Sequence, residues 1–165
     1  MITLITGGVK SGKSSFALKL SENFKKKAFI ATGVAFDEEM KKRIEKHKQE
    51  RIGFDTFEEP IEVYKIIESL NQKYEVAILD CLTTYLGNLY YYEKDIEYYT
   101  KKLIDSLKRV NYNLIIVTNE VGWGIIPENK LSRKYVDNLG LLNKKVASLS
   151  DNVYLMVSGI GVKIK

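Results

Sequence analysis

The stretch "ITLITGGVKSGKS", Ile2 to Ser14, decides the fold. "ITLIT" (Ile2 to Thr6) is a short apolar, β-branched run and reads as a buried strand. "GGVKSGKS" (Gly7 to Ser14) fits G-x-x-x-x-G-K-[ST], and a helical stretch from Lys13 to about Lys26 follows it. Strand, glycine-rich loop and helix form the context that the pattern requires. Gly7, Gly8 and Gly12 let backbone N–H groups turn inward and approach phosphate oxygens; Val9, Lys10 and Ser11 complete the loop. The helix N-terminus adds a partial positive charge. Lys13 would reach the β- and γ-phosphates, and the Ser14 hydroxyl would hold Mg²⁺. A glycine-rich turn ahead of an ordinary helix is the alternative; position and context favour nucleotide binding.

Working outward, "AFIAT" (Ala28 to Thr32) reads as a second strand. Residues 37–51, "DEEMKKRIEKHKQER", are helix formers, with Asp37, Glu38 and Glu39 placed to complement the helix dipole. A short strand is expected over Phe54 to Phe57 and a helix from Pro60 through Leu70. "EVAILD" (Glu75 to Asp80) is the clearest interior strand. A long helix is expected from about Glu93 to Arg109 and a strand over Leu114 to Asn119. Residues 128–149 read as mostly helical, with Gly140 a candidate interruption. "NVYLMVS" (Asn152 to Ser158) is strand, and "GVKIK" an edge strand. Strands alternating with helices indicate an α/β fold around a mainly parallel sheet flanked by helices. Nothing along the chain reads as a linker or repeat, so a single nucleotide-binding and transferase domain is expected over residues 1–165.

The chain has 165 residues, 45% of them hydrophobic, which suits a substantial core. No window approaches the ~20 apolar residues of a membrane span. "MITLIT" carries no signal-peptide pattern. Cys81 is the only cysteine, which excludes an intrachain disulfide and a cysteine-based zinc site. A cytoplasmic location is therefore expected. The net charge of +5 arises from 26 basic and 21 acidic residues spread along the chain. It suits an acidic partner, nucleotide or nucleic acid, without choosing between them.

Asp80 ends the run "VAILD" and should lie at the carboxyl edge of the sheet, where α/β folds bind ligands. With a P-loop present, it is the candidate second acidic contact to Mg²⁺. A strand-ending aspartate in a turn is the simpler reading. His47 is the only histidine and stands among cations in "RIEKHKQER". Arg43, His47 and Arg51 share one helix face at i, i+4, i+8, with Met40 and Ile44 close by. Those cations would disfavour imidazolium and attract a polyphosphate. A neutral imidazole facing a triphosphate is a nucleophile, and attack at the α-phosphorus would expel pyrophosphate. A solvated helix face that happens to contain a histidine is the plainer alternative.

The segments "TGGVKSGKS", "IATG", "DEEMKKRIEKHKQER", "NEVGWGIIPENKLSRKYVDNLGLLNKKVA" and "VSGIGVKIK" together resemble the adenosylcobinamide kinase/adenosylcobinamide-phosphate guanylyltransferase family. The resemblance covers essentially the whole chain. The P-loop is shared by many families, whereas R-I-x-x-H-K-x-x-R and N-E-V-G-x-G-I-[IV]-P-E-N are far more specific. It implies a RecA-like P-loop fold and a bifunctional enzyme of cobalamin assembly. Such an enzyme phosphorylates adenosylcobinamide with a nucleoside triphosphate, ATP or GTP. It then transfers GMP from GTP to that phosphate through a GMP–histidine, with Mg²⁺ held at Ser14 and Asp80. His47 alone fills the histidine position of the motif. The nucleotide contacts implied are Gly7 to Ser14, Ala31, Thr32, Gly33, Lys48, Gln49, Glu50, Arg51, Glu59 and Asp80. The resemblance implies a homotrimer and no nucleic-acid partner.

Relatives also carry Glu at the Asp80 position, and "LGNLYYYEKDIEYY" departs most from them. Its tyrosines, Tyr90 to Tyr92, Tyr98 and Tyr99, read as packing residues, with a subunit-interface role left open. "TNEVGWGIIPEN" should lie on the same edge as the P-loop. There Glu120 could bind Mg²⁺ or accept a proton; a structural loop pinned by Pro127 is an equal reading. The rival functions are a simple P-loop metabolite kinase, which gives His47 no task, and a RecA-like DNA-binding module. The basic charge fits the module, but the sequence has no clustered basic patch with interleaved aromatics of the single-strand-binding kind.

Overall fold

β1 (Ile2–Gly7) is buried along its whole length, so both of its faces meet protein. An apolar strand of this kind belongs in the middle of a parallel sheet covered on both sides. The computed structural model describes residues 1–35, 38, 41, 45 and 51–165. Along the chain, β1 is followed by α1 (Lys13–Leu20), β2 (Lys27–Ala31), β3 (Phe54–Glu58), α2 (Val63–Ser69) and β4 (Val76–Asp80). Then come α3 (Leu82–Tyr91), α4 (Ile96–Leu107), β5 (Asn113–Val117), α5 (Lys130–Leu149), β6 (Asn152–Val157) and β7 (Ile160–Lys163).

The strands form one seven-stranded sheet in the order β3-β2-β4-β5-β1-β6-β7. Pairing is parallel from β3 to β6, and only the β6–β7 hairpin is antiparallel. Side chains alternate between the faces as the pleat demands. Ile5, Val76, Ile78, Ile115 and Val117 pack with Ala17 of α1. Leu4, Ala77, Leu79, Leu114 and Ile116 face a larger core fed by α2, α3, α4 and α5. The α/β fold expected from the alternating pattern is the one observed.

Boundaries differ where local chemistry intervenes. α1 stops at Leu20 rather than Lys26, because the Ser21 hydroxyl and its N–H both donate to the Leu18 carbonyl, at 2.6 and 3.0 Å. α3 was not expected, since Gly87, Thr83 and Thr84 are weak helix formers. Its Leu82, Tyr85, Leu86 and Leu89 are nonetheless fully buried at i, i+3, i+4 and i+7, the spacing of a core-facing stripe. α5 passes Gly140 unbroken; burial of Leu139, Leu142 and Val146 outweighs a glycine cost of ~1 kcal/mol. Asn129 caps its start, accepting from Leu131 and Ser132 N–H at 2.8 and 3.1 Å. The tyrosines divide: Tyr90 packs edge-on against Tyr135, with ring centres 5.8 Å apart, whereas Tyr91, Tyr92 and Tyr98 are exposed. The helix expected over 37–51 falls largely outside the described residues; Glu38, Lys41 and Glu45 are helical.

Candidate active site

Because β1 to β6 run parallel, their carboxyl ends share one edge of the sheet. Single hydrogen bonds carry the pairing past the strand ends. Glu59 N–H donates to Ala31 C=O at 3.0 Å, Thr32 N–H to Asp80 C=O at 3.1 Å, and Glu120 N–H to Gly7 C=O at 3.1 Å. The P-loop, Ala31, Thr32, Gly33, Glu59, Asp80 and Glu120 therefore gather along one edge, although they come from distant parts of the sequence. At ~4.8 Å per strand, the tips of β3 and β1 are roughly 19 Å apart. Glu59 stands at the far end of this row from the P-loop.

The P-loop backbone needs glycine at two points. Gly7 has φ +146°, and a Cβ there would sit 2.5 Å from the Met156 carbonyl oxygen and 3.0 Å from Ser11 Oγ. Gly12 has φ +94°, left-handed at the N-cap of α1, and a Cβ would come 3.3 Å from Gly159 Cα. The β6–β7 turn thus backs the loop, and Gly159 N–H donates to Ser11 C=O at 3.0 Å. Nothing in the sequence of that turn announced this support. Among the described residues, Ser11 Oγ is buried without a hydrogen-bond partner. A buried hydroxyl of that kind fits a site that receives oxygen-rich ligands.

Lys13 is also buried, and its ammonium donates to the Gly8 carbonyl across the loop. Burial pulls its pKa below the usual lysine range, and Cys81 and Asp80 oppose that shift. Burial raises the pKa of the Cys81 thiol, helped by the Asp80 charge. The thiol is therefore neutral near pH 7, and Asp80 is the charge that acts on Lys13. Cys81 is no activated nucleophile: its sulfur caps α3, accepting from Thr84 N–H at 3.5 Å.

Ser14 Oγ donates to Asp80 Oδ2 at 3.3 Å. A hydroxyl and a carboxylate brought together offer hard oxygen donors, the set that suits Mg²⁺ shared with phosphates and water. The described residues contain no cluster of three or more His, Cys, Asp or Glu side chains able to hold a metal alone. Asp80 is positioned from behind by a polar knot. Thr32 Oγ1 accepts from Cys81 N–H at 2.9 Å and donates to Cys81 C=O at 2.9 Å. Asn88 Nδ2 then ties Thr32 C=O, at 2.7 Å, to Pro60 C=O, at 3.1 Å. Sequence reasoning missed Asn88, whose only signal was a polar residue amid the apolar positions of an unrecognised helix.

Glu59 Oε1 accepts from Ile61 and Glu62 N–H at 2.9 and 2.7 Å, closing the turn into α2. Arg51 lays its guanidinium over the Phe29 ring, 3.7 Å from its centre, which holds this cation against β2. Arg43, His47, Lys48, Gln49 and Glu50 lie outside the described residues. Glu120 is partly buried, and its Oε1 accepts from Thr6 Oγ1 at 2.8 Å. The loop after it exposes Trp123, Ile125 and Ile126.

A P-loop on β1, with one strand between it and the acidic residue on β4, defines a P-loop NTPase-type protein of RecA-like arrangement. Solved structures agree on the fold. The flagellar accessory protein FlaH from Methanocaldococcus jannaschii superposes with a TM-score of 0.54 at 14% identity, covering 99% of this chain and 77% of that one. An ATPase from a bacterial type III secretion system gives 0.57 at 10% identity, covering 98% and 56%.

The chain belongs to the cobinamide kinase / cobinamide phosphate guanyltransferase family of enzymes, whose model matches residues 3–164. It is 36% identical over 181 residues to the bifunctional adenosylcobalamin biosynthesis protein CobU of Escherichia coli K12, covering 100% of both chains. It is 34% identical over 169 residues to CobP of Pseudomonas aeruginosa, which carries the same description, covering 100% of this chain and 98% of the relative. No described helix is long and apolar enough to cross a membrane.

Proposed function

We propose that this protein phosphorylates adenosylcobinamide with ATP or GTP and then transfers GMP from GTP onto that phosphate. His47 is the residue that becomes covalently guanylylated. The observation that carries the reading is the full-length match to relatives described as bifunctional, at 34–36% identity. The pairing of Ser14 with Asp80 beside the P-loop supports it.

In the kinase step, the P-loop N–H groups and Lys13 hold the triphosphate and offset charge on the transferring phosphoryl group. Ser14 and Asp80 would hold Mg²⁺, which when bound neutralises phosphate charge. In the second step, an imidazole nitrogen of His47 attacks the α-phosphorus of GTP and the bond to pyrophosphate breaks. A phosphate oxygen of adenosylcobinamide phosphate then attacks the same phosphorus. The imidazole leaves, and the product is adenosylcobinamide-GDP. Ala31, Thr32, Gly33, Glu59 and the segment Lys48 to Arg51 complete the nucleotide contacts. The roughly 19 Å between the tips of β1 and β3 gives room for an extended nucleoside triphosphate along the edge. The single-domain organisation over 1–165 and a trimeric assembly belong to the same reading.

The test combines intact mass measurement after GTP and Mg²⁺ with product analysis after cobinamide is added. A retained GMP mass and successive formation of the phosphate and the GDP derivative are expected. Phosphorylation with no GMP adduct would leave a simple kinase. DNA-stimulated hydrolysis with neither product would leave a nucleic-acid module.

Asp80→Asn separates docking from chemistry. The P-loop backbone still binds triphosphate, so turnover is expected to fall more than MgGTP affinity, and the deficit to shrink partly at high Mg²⁺. Wild-type turnover of this variant at limiting Mg²⁺ rules the metal role out.

A further inference from the structure

We propose that Glu120 receives the proton of the acceptor hydroxyl in the phosphoryl-transfer step. The inference rests on the kinase half of the reading above. Glu120 follows β5, the strand between the P-loop strand and the strand that ends in Asp80. Its N–H donates to the carbonyl of Gly7, the first residue of the P-loop, at 3.1 Å. Its Oε1 accepts from Thr6 Oγ1 at 2.8 Å. Thr6 is itself buried within the sheet, so the carboxylate is pinned to the element that delivers the loop.

The other oxygen is uncommitted. Among the described residues, Glu120 Oε2 has no hydrogen-bond or ion-pair partner. The side chain caps no helix and is only partly buried. A carboxylate fixed through one oxygen at the mouth of a phosphate loop, with the second open, has the geometry of a group that orients an incoming hydroxyl. The following residues suit a large acceptor: Trp123, Ile125 and Ile126 are 73%, 98% and 78% exposed. On the loop that leaves Glu120, they offer exposed apolar surface for the corrin ring of cobinamide.

The step balances as follows. The acceptor oxygen forms a bond to the γ-phosphorus, and the bridging bond to the β-phosphate breaks. The nucleoside diphosphate leaves with the electron pair. The hydroxyl proton passes to Glu120 Oε2 and from there to water. The products are a phosphate monoester, a nucleoside diphosphate and one proton. Since phosphoryl transfer has a loose transition state, Glu120 acts chiefly by aiming the hydroxyl and taking its proton as the bond forms.

Glu120→Gln tests this, because the carboxamide oxygen still accepts from Thr6 while the basic oxygen is gone. In steady-state phosphorylation of cobinamide, kcat is expected to fall at least ~100-fold. The KM for cobinamide and the Kd for MgGTP stay within about twofold. A merely structural role would move the Kd or the melting temperature. A kcat within about twofold of wild type overturns the proposal. So does a parallel loss of MgGTP affinity, which would assign Glu120 to the nucleotide. If the Gln variant does not fold, Glu120→Ala with added formate decides: recovery of kcat supports the proposal, and none overturns it. A wild-type protein that leaves cobinamide unphosphorylated refutes the kinase reading itself, a result distinct from all of these.

Discussion

In His47→Ala, the covalent GMP adduct and guanylyl transfer are expected to vanish while phosphorylation of cobinamide continues. The division follows from the chemistry of the two steps. Transfer of the γ-phosphoryl group needs the P-loop, Mg²⁺ and an oriented hydroxyl. Transfer of GMP through the enzyme needs a nucleophile at the α-phosphorus, and His47 is the only imidazole in the chain. On that reading the cations that flank it in sequence would disfavour imidazolium and draw in the triphosphate. Arg51 is fixed against Phe29, so at least this cation has a defined seat. The adduct expected of the wild type, a phosphoramidate, should survive alkali and be lost in acid. Intact mass measurement after GTP and Mg²⁺, with a parallel kinase assay, checks the outcome. An adduct retained in His47→Ala, or found on another residue of the wild type, refutes the assignment. Loss of both activities in a folded variant would show that His47 also positions the nucleotide.

Lys13→Ala is expected to weaken MgGTP binding by ~1.5–3 kcal/mol, the loss of a charge-assisted phosphate contact. That corresponds to roughly 10- to 150-fold in Kd. Both activities should fall together, since both draw on the same triphosphate site. The burial of Lys13 strengthens the expectation. An ammonium taken partly out of water, held by the Gly8 carbonyl and the Asp80 charge, gains more from a phosphate than a solvated lysine does. Calorimetric titration with GTP and Mg²⁺ measures the effect. Unchanged affinity with unchanged turnover removes Lys13 from the site.

The sequence by itself determined the local units. "ITLITGGVKSGKS" dictated strand, loop and helix, because the run of apolar residues, the glycines and the Lys-Ser pair each act within a few residues of chain. "VAILD" ended in a carboxylate at a strand tip for the same reason. Period and propensity were enough for an α/β class, and the histidine motif was legible as a pattern.

Only the tertiary structure decided which of these units meet. β5 lies between β4 and β1, an order no periodicity encodes. It brings Glu120 to Gly7 and, across a separation of 114 residues in sequence, to Thr6. The knot behind Asp80 joins Thr32, Cys81 and Asn88 over separations of 49 and 56 residues. α3 formed against the weak propensity of Gly87 and its threonines because burial of Tyr85, Leu86 and Leu89 outweighed a few tenths to ~1 kcal/mol per residue of helix cost. Gly7 and Gly12 are required at their positions by the close approach of Met156 and Gly159. Backbone preference and side-chain period act over a few residues, so sequence carries them. The pairing of strands and the partners of buried polar groups depend on the chain closing over itself, and are set only when the apolar faces of the whole sheet are covered together.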